Sequence, residues 1–89
     1  MRFLVAQSDT SLNRMIQTAL HDNGYKTDEA LSLTDAEYYT DIRKYDLILI
    51  DTNFGKDEVL NFIEEIRVKF PLTKIIVLSD NQHISEEIR

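Results

Sequence analysis

Two short, uninterrupted apolar runs restrict most strongly how this 89-residue chain can fold. They are DLILID, residues 46–51, and TKIIVLS, residues 73–79. A strand covered on one face alternates apolar and polar residues, whereas a continuous apolar run is typical of a strand buried on both faces. Strands of that kind occur in parallel sheets that carry helices on both sides, so the two runs predict an α/β protein.

The first thirty residues predict a strand, a helix and a second strand. Residues 2–6 form a short apolar strand, and residues 25–30 form a weak, polar strand of the kind found at a sheet edge. Between them, apolar residues recur at helical spacing, which predicts the inward stripe of a helix. The stripe consists of Leu12, Met15, Ile16, Ala19 and Leu20. Ser8, Asp9 or Ser11 could cap the start of this helix.

Two further helices are predicted from their end signals. The second runs from Thr34 to about Lys44, because Thr34 and Glu37 have the spacing of a capping box. The third runs from about Asp57 to the residue before Pro71, since the backbone before a proline is biased away from the helix. The inward residues of the third helix are predicted to be Val59, Phe62, Ile63, Ile66 and Phe70.

The end of the chain, residues 81–89, predicts the start of a fourth helix, because Ile84 and Ile88 lie four residues apart. Strands and helices therefore alternate at roughly 20 to 25 residues per unit. This order implies right-handed crossovers and a doubly wound parallel sheet. The predicted fold class is α/β.

Composition argues against several classes of function. The net charge is −6 and no basic cluster is longer than Arg43–Lys44, so this piece of chain is not expected to bind nucleic acid. Cysteine is absent, which excludes disulfides and thiolate metal sites and fits a cytoplasmic protein. No apolar run approaches the roughly 20 residues that span a membrane. The segment AQSDTS after the first strand contains no glycine, which disfavours a nucleotide-binding phosphate loop.

Polar residues follow three of the predicted strands at the point where each strand ends. They are Gln7, Ser8 and Asp9 after the first strand, Asp51, Thr52 and Asn53 after the third, and Ser79 and Asp80 after the fourth. Ligands of open α/β sheets bind at this edge, so these residues are the candidates for a site. Mg²⁺ could bind Asp51, a backbone carbonyl and several waters, because it often needs only one or two carboxylates. Asp51 could equally be a helix cap or a turn residue.

Three stretches carry a specific resemblance: MRFLVAQSDTSLNRMIQTALHDNGY, YDLILIDTN and KIIVLSD. Together they resemble the receiver domain of bacterial two-component response regulators, which has a flavodoxin-like (CheY-like) fold. The stretch EYYTDIRKYDLILID further resembles atypical orphan regulators of the winged-helix, OmpR/PhoB-like subfamily in epsilon-proteobacteria. The resemblance implies the strand order 2-1-3-4-5 with four of the five βα units present. It also implies that residues 1–89 are a receiver domain truncated before its fifth strand.

The resemblance assigns roles to the residues at the strand ends. In the family, two acids after strand one and an aspartate after strand three hold Mg²⁺, and the aspartate accepts a phosphoryl group from a histidine kinase. The resemblance therefore implies that Asp51 is the phosphoacceptor, that Ser79 is the switch hydroxyl and that the Asn53 carbonyl contacts the metal. The acidic pair falls on Gln7 and Ser8, so both of its carboxylates are missing. Because the metal neutralises the anions that phosphoryl transfer brings together, Mg²⁺ is expected to bind only weakly at Asp51 and Asn53.

These departures predict a non-enzymatic signalling module. We expect the receiver of an atypical response regulator that controls transcription independently of phosphorylation, with Asp51 as a vestigial phosphoacceptor. Two alternatives stay open: a conventional Mg²⁺-dependent receiver phosphorylated on Asp51 by a histidine kinase, and a purely structural dimerisation domain. DNA would be bound only through a C-terminal effector domain outside this chain. The strand TKIIVLS would form an open sheet edge, which predicts a homodimer formed by edge pairing or by exchange of the last helix.

Overall fold

The computed structural model describes residues 1–78 in full and residues 84–87 as a strand backbone. It contains three α-helices, five strands and one 3₁₀ turn in these residues. Their bounds are β1 Arg2–Ala6, α1 Thr10–Asp22, β2 Lys26–Ala30, α2 Leu33–Ile42, β3 Leu47–Asp51, the 3₁₀ turn Thr52–Phe54, α3 Lys56–Lys69, β4 Lys74–Leu78 and β5 Ile84–Glu87.

The strands form one sheet in the order β2-β1-β3-β4-β5, and β1 to β4 are parallel. The register places Ala6 beside Ile50 and Asp51 beside Leu78. The carboxyl ends of β1, β3 and β4 therefore meet at one edge of the sheet. The weak polar strand β2 lies at the outer edge, as its composition predicts. These observations confirm the predicted α/β, flavodoxin-like fold and its strand order.

The helix predicted over residues 81–89 is wrong for residues 84–87. They form β5, which runs antiparallel to β4 with Leu78 opposite Ile84 and Ile75 opposite Glu87. The outer edge of β4 carries a row of backbone N–H and C=O groups that need partners, and this pairing supplies them. A short isolated helix would be marginal in water by comparison. The described residues therefore contain three helices rather than four, and β4 is an inner strand rather than the predicted open edge.

Helix α1 is rotated relative to the predicted stripe. Asp9 is its N-cap, and the Asp9 Oδ1 atom accepts a hydrogen bond from the Leu12 backbone N–H at 3.1 Å. Met15 is 69% exposed, whereas Asn13 is completely buried. The prediction that Leu12, Met15 and Ala19 point inward is therefore wrong. The reason is that the Asn13 side chain donates to backbone carbonyls at the ends of β1 and β2, and these bonds fix the rotation of the helix.

The other two helices cover the opposite face of the sheet. The N-cap of α2 is Ser32 and not the predicted Thr34, because the Ser32 hydroxyl accepts from the Asp35 N–H at 3.1 Å. In α3, the predicted inward residues Val59, Phe62, Ile63 and Ile66 are buried, and Phe70 is the half-buried C-cap. They pack with alternate residues of the central strands, namely Leu4, Ala6, Ile48, Ile50 and Ile75. This packing fixes the positions of the strands whose carboxyl ends carry the candidate site residues.

Candidate functional site

Asp51 ends β3 with its side chain almost completely buried, at 3% exposure. Its two carboxylate oxygens have separate partners. Oδ1 accepts from the Asn53 backbone N–H at 2.9 Å, which makes Asp51 the N-cap of the 3₁₀ turn. Oδ2 accepts from both the backbone N–H and the hydroxyl of Ser8. Asp51 is therefore a cap residue, as one of the sequence interpretations allowed, and it also contacts the loop after β1.

Ser8 supplies two donors to the same carboxylate oxygen. Its N–H lies 3.2 Å from Asp51 Oδ2, and its hydroxyl oxygen lies 2.5 Å from that atom. The hydroxyl also lies 3.5 Å from the Gln7 side-chain carbonyl, but the much shorter distance shows that it donates to Asp51. A hydrogen bond to a carboxylate is stronger than one between neutral groups. The residue at the second acidic-pair position is thus a donor to Asp51 rather than a second carboxylate.

Gln7, at the first acidic-pair position, is turned toward the chain that follows it. Its side chain is buried, and its Oε1 atom accepts from the Asp9 backbone N–H at 3.0 Å. Its own backbone N–H donates to the Ala30 carbonyl at 3.2 Å. These two hydrogen bonds stabilise the turn between β1 and α1. Both the side-chain oxygen and the backbone N–H of Gln7 are bonded to backbone groups.

The structure brings together four of the five predicted site residues. Gln7, Ser8, Asp51 and Asn53 lie within one hydrogen-bonded group at the carboxyl edge of the sheet. Ser79, the predicted switch hydroxyl, and Asp80 lie outside the described residues. The end of β4 is nonetheless tied to the group, because the Thr52 hydroxyl donates to the Leu78 carbonyl at 3.3 Å.

The residues at this edge do not fit Mg²⁺ well. Asp51 is the only carboxylate in the hydrogen-bonded group, and Ser8 already donates twice to its Oδ2. A hard cation needs oxygen ligands, whereas the N–H groups of Ser8 and Asn53 point hydrogens at the carboxylate. Across residues 1–78 and the β5 backbone, no group of three His, Cys, Asp or Glu residues is placed to hold a metal. Weak binding at Asp51 and Asn53 stays a prediction.

Comparison with known proteins identifies the family. The model of the response regulator receiver domain matches residues 3–89. This chain belongs to that family. Among curated relatives, the transcriptional regulatory protein DltR of Streptococcus agalactiae is 31% identical over 88 residues, which are 99% of this chain and 39% of DltR. The chain spans less than half the length of the curated relatives that it matches.

Solved receivers show the same fold. HP1043, an orphan response regulator of H. pylori, is 34% identical with a TM-score of 0.81, over 93% of this chain and 67% of HP1043. A second structure is described as an atypical orphan response regulator with a phosphorylation-independent regulatory mechanism. It is 32% identical with a TM-score of 0.79, over 93% of this chain and 66% of its own. The predicted resemblance to the receiver family, including orphan members, is confirmed.

One residue of this receiver's site was missed by the sequence analysis. Asn13 is fully buried in α1, and the two hydrogens of its Nδ2 group are shared among three carbonyls, those of Val5, Gln7 and Ala30, at 3.0, 3.2 and 3.3 Å. A signal for it exists in the sequence, because Asn13 and Gln17 are two amides spaced one helical turn apart on the same face of α1.

A second polar cluster of the receiver surrounds Asp28 of β2, near the amino-terminal ends of β1 and β3. The Asp28 carboxylate accepts from the Tyr45 hydroxyl at 2.6 Å and from the guanidinium groups of Arg2 and Arg43. Burial is the main reason that the pKa of Tyr45 is raised well above its ordinary value, and the hydrogen bond and charge of Asp28 add to it.

None of the helices in the described part of the chain is long and apolar enough to cross a membrane.

Proposed function

We propose that this chain is the receiver module of an atypical response regulator that controls transcription without phosphorylation of Asp51. One observation carries the proposal: Ser8, which the family resemblance matches to an acidic-pair position, donates its hydroxyl and N–H to Asp51 Oδ2. The carboxylate is thereby hydrogen-bonded within the protein rather than presented to a metal. On this proposal, Asp51 is a vestigial phosphoacceptor with a structural role, and the chain has no enzymatic activity of its own.

Charge explains why the replacement of the acidic pair matters. Phosphoryl transfer to Asp51 would place a phosphate anion beside a buried carboxylate, and Mg²⁺ normally neutralises that charge. In the receiver family, three carboxylates attract the ion. At the matching positions of this chain only Asp51 is a carboxylate, because Gln7 and Ser8 are neutral. Asp51 should therefore be a poor metal ligand and a poor nucleophile.

The comparisons support the proposal at the level of relatives. The curated relatives carry names of transcriptional regulatory proteins. The atypical orphan regulator that this chain resembles is described as phosphorylation-independent. On this proposal, DNA is bound by an effector domain outside these 89 residues. The protein acts in the cytoplasm. It does not require an input from a histidine kinase.

Self-association remains part of the proposal, but not through the edge of β4, which β5 covers, nor by exchange of a last helix, because residues 84–87 form that strand. The receiver of NtrC4, which this chain resembles at 28% identity, is described as a dimer in its beryllofluoride-activated form. We expect this receiver to form a homodimer without such activation. Light scattering across a concentration series measures this directly, and a monomer at the highest concentration would contradict it.

The conventional alternative also has an observation in its favour. Asp51 and the Asn53 backbone keep their positions, and the receiver TrrA of Thermotoga maritima, 28% identical, is described in complex with Mg²⁺ and beryllofluoride. A titration separates the two functions. We expect that millimolar Mg²⁺, followed by beryllofluoride as a phosphoryl mimic, will leave the NMR signals of Ser8, Asp51 and Asn53 unchanged.

A matched variant makes that negative result informative. Gln7→Asp with Ser8→Asp restores the two carboxylates and removes the Ser8 hydroxyl, so Mg²⁺ should then shift the same signals saturably. Saturable shifts in the unsubstituted protein that disappear in Asp51→Ala would overturn the proposal in favour of the conventional receiver. If neither protein responds, the two acidic-pair positions are not what prevents metal binding, and our explanation of the site is wrong.

A further inference from the structure

The peptide group between Gln7 and Ser8 is bonded at both ends. Its N–H, which belongs to Ser8, donates to Asp51 Oδ2 at 3.2 Å. Its carbonyl, which belongs to Gln7, accepts from Asn13 Nδ2 at 3.2 Å. Because a peptide group is planar and rigid, a bond to its carbonyl also orients its N–H. The direction in which Ser8 presents its donors therefore depends on Asn13.

The orientation of the Asn13 amide is itself determined by a neighbour. Gln17 Nε2 donates to Asn13 Oδ1 at 2.7 Å, which leaves Nδ2 to face the carbonyls of Val5, Gln7 and Ala30. Were the amide flipped, its oxygen would face those carbonyls and three acceptors would lose a donor. Asn13 is completely buried, so water cannot replace the lost bonds.

Gln17 connects this buried amide to the surface. Its Nε2 group also donates to Glu29 Oε2 at 2.7 Å, and its Oε1 accepts from the Thr27 hydroxyl at 3.3 Å. Both hydrogens of Nε2 are thus engaged, one on Asn13 and one on Glu29. Gln17 and Glu29 line a surface groove of about 380 Å³. A continuous series of hydrogen bonds therefore leads from this groove to the Asp51 pocket.

We propose that Asn13 is a positioning residue, which keeps both donors of Ser8 on the carboxylate of Asp51. Gln17 and Glu29 connect Asn13 by hydrogen bonds to the surface formed by α1 and β2. The inference rests on the proposed function, because it treats the contact between Ser8 and Asp51 as the resting state of the pocket. It adds a route by which a change at the surface groove alters that contact.

Gln17→Met tests the inference, since it keeps the length of the side chain and removes every hydrogen bond of its amide. We expect hydrogen exchange of the Ser8 amide to become roughly fivefold faster, as for one weakened hydrogen bond. The NMR signals of the Ser8 amide and the Asp51 carboxylate should shift as well. Exchange of the Ile50 amide, inside β3, should not change, which separates a loss of positioning from a general loss of stability.

Three further variants complete the test. Glu29→Ala should act in the same direction with a smaller effect, and it serves if Gln17→Met does not fold. Glu29→Gln keeps an acceptor and should restore the Ser8 amide, and the exposed Thr18→Ala should leave it unchanged. If Gln17→Met and Glu29→Ala accelerate Ser8 exchange no more than Thr18→Ala does, Asn13 is not held through Gln17 and the inference is wrong.

The two proposals fail in different measurements. Exchange of the Ser8 amide is recorded without metal, so it judges the positioning role alone. Saturable binding of Mg²⁺ and beryllofluoride by the unsubstituted protein would overturn the proposed function. Such metal binding would not change the hydrogen-exchange result, so the positioning role of Asn13 would still be judged from that result alone.

Discussion

The receiver contains two hydrogen-bonded aspartates whose partners differ in charge. Asp28 accepts from two guanidinium groups and a phenol, those of Arg2, Arg43 and Tyr45. Asp51 accepts from neutral donors, the N–H and hydroxyl of Ser8 and the N–H of Asn53. Both carboxylates have their hydrogen-bonding capacity largely used. Of these two aspartates, Asp28 forms ion pairs as well.

This difference separates a structural cluster from a site. The charge of Asp28 is compensated by the protein, so the cluster joins β1, β2 and the segment before β3 without needing any ligand. The charge of Asp51 is held by dipoles alone among the described residues, although the side chain is more deeply buried. A buried charge of that kind responds strongly to any change in its donors.

Asp28→Ala should have the largest effect on stability. It removes the acceptor of three side chains and leaves Tyr45, which is buried, with an unpaired hydroxyl. We expect the free energy of unfolding to fall by about 2–3 kcal/mol, measured by urea denaturation. Asp28→Asn keeps an acceptor for Tyr45 and should lose less. A loss below about 0.5 kcal/mol for Asp28→Ala, typical of an exposed ion pair, would show that the cluster is not structural.

Ser8→Ala should have an intermediate effect on stability and a direct effect on the pocket. It removes the hydroxyl donor from Asp51 Oδ2 and leaves only the Ser8 N–H on that oxygen. We expect a loss of about 1.5 kcal/mol in the free energy of unfolding, as for a hydrogen bond to a charged group. Ser8→Thr retains the hydroxyl and should stay close to the unsubstituted protein. Equal stability of all three proteins would mean that the contact with Asp51 carries no energy.

The sequence predicted the sheet well because burial on both faces leaves a direct trace in composition. The runs that became β3 and β4 contain only apolar residues up to their ends, and parallel pairing follows from that property. Residues 84–87 were predicted wrongly because the helical spacing of Ile84 and Ile88 says nothing about pairing with another strand. The pairing of residues 84–87 depends on the free backbone groups of the preceding strand β4, which the spacing of two isoleucines does not report.

The site was predicted at the level of residues but not of bonds. The positions of Asp51, Asn53, Gln7 and Ser8 followed from the strand ends and the family resemblance. That resemblance implies that the carboxylates at positions 7 and 8 are missing, but it does not predict that the Ser8 hydroxyl donates to Asp51. The burial of Asn13 was not predicted, because an asparagine in an amphipathic helix is expected on the polar, exposed face. Its carbonyl partners come together only when the ends of β1 and β2 lie side by side in the fold.

Tyr45→Phe should have the smallest effect at neutral pH and a distinctive effect at high pH. Burial raises the pKa of Tyr45 above its ordinary value of 10.0, so the folded protein holds the phenol proton more tightly than the unfolded chain does. The stability that Tyr45 contributes is fully present below about pH 10 and is lost as the pH rises toward its folded pKa. At neutral pH we expect the variant to lose about 1 kcal/mol, because one hydrogen bond to Asp28 is removed.

Above about pH 10 the gap should therefore narrow, and the order of stability should reverse before about pH 11. The unfolded chain releases the Tyr45 proton there and the folded protein does not, so the unsubstituted protein should lose up to about 1.4 kcal/mol per pH unit relative to Tyr45→Phe. Urea denaturation from about pH 8 to about pH 11 measures the difference. Tyr38→Phe is the matched control, because Tyr38 is 60% exposed and its removal should leave the pH profile unchanged. If the gap between the unsubstituted protein and Tyr45→Phe is constant with pH, the Tyr45 phenol is not held neutral by burial and Asp28, and the contrast between the two aspartates loses its electrostatic basis.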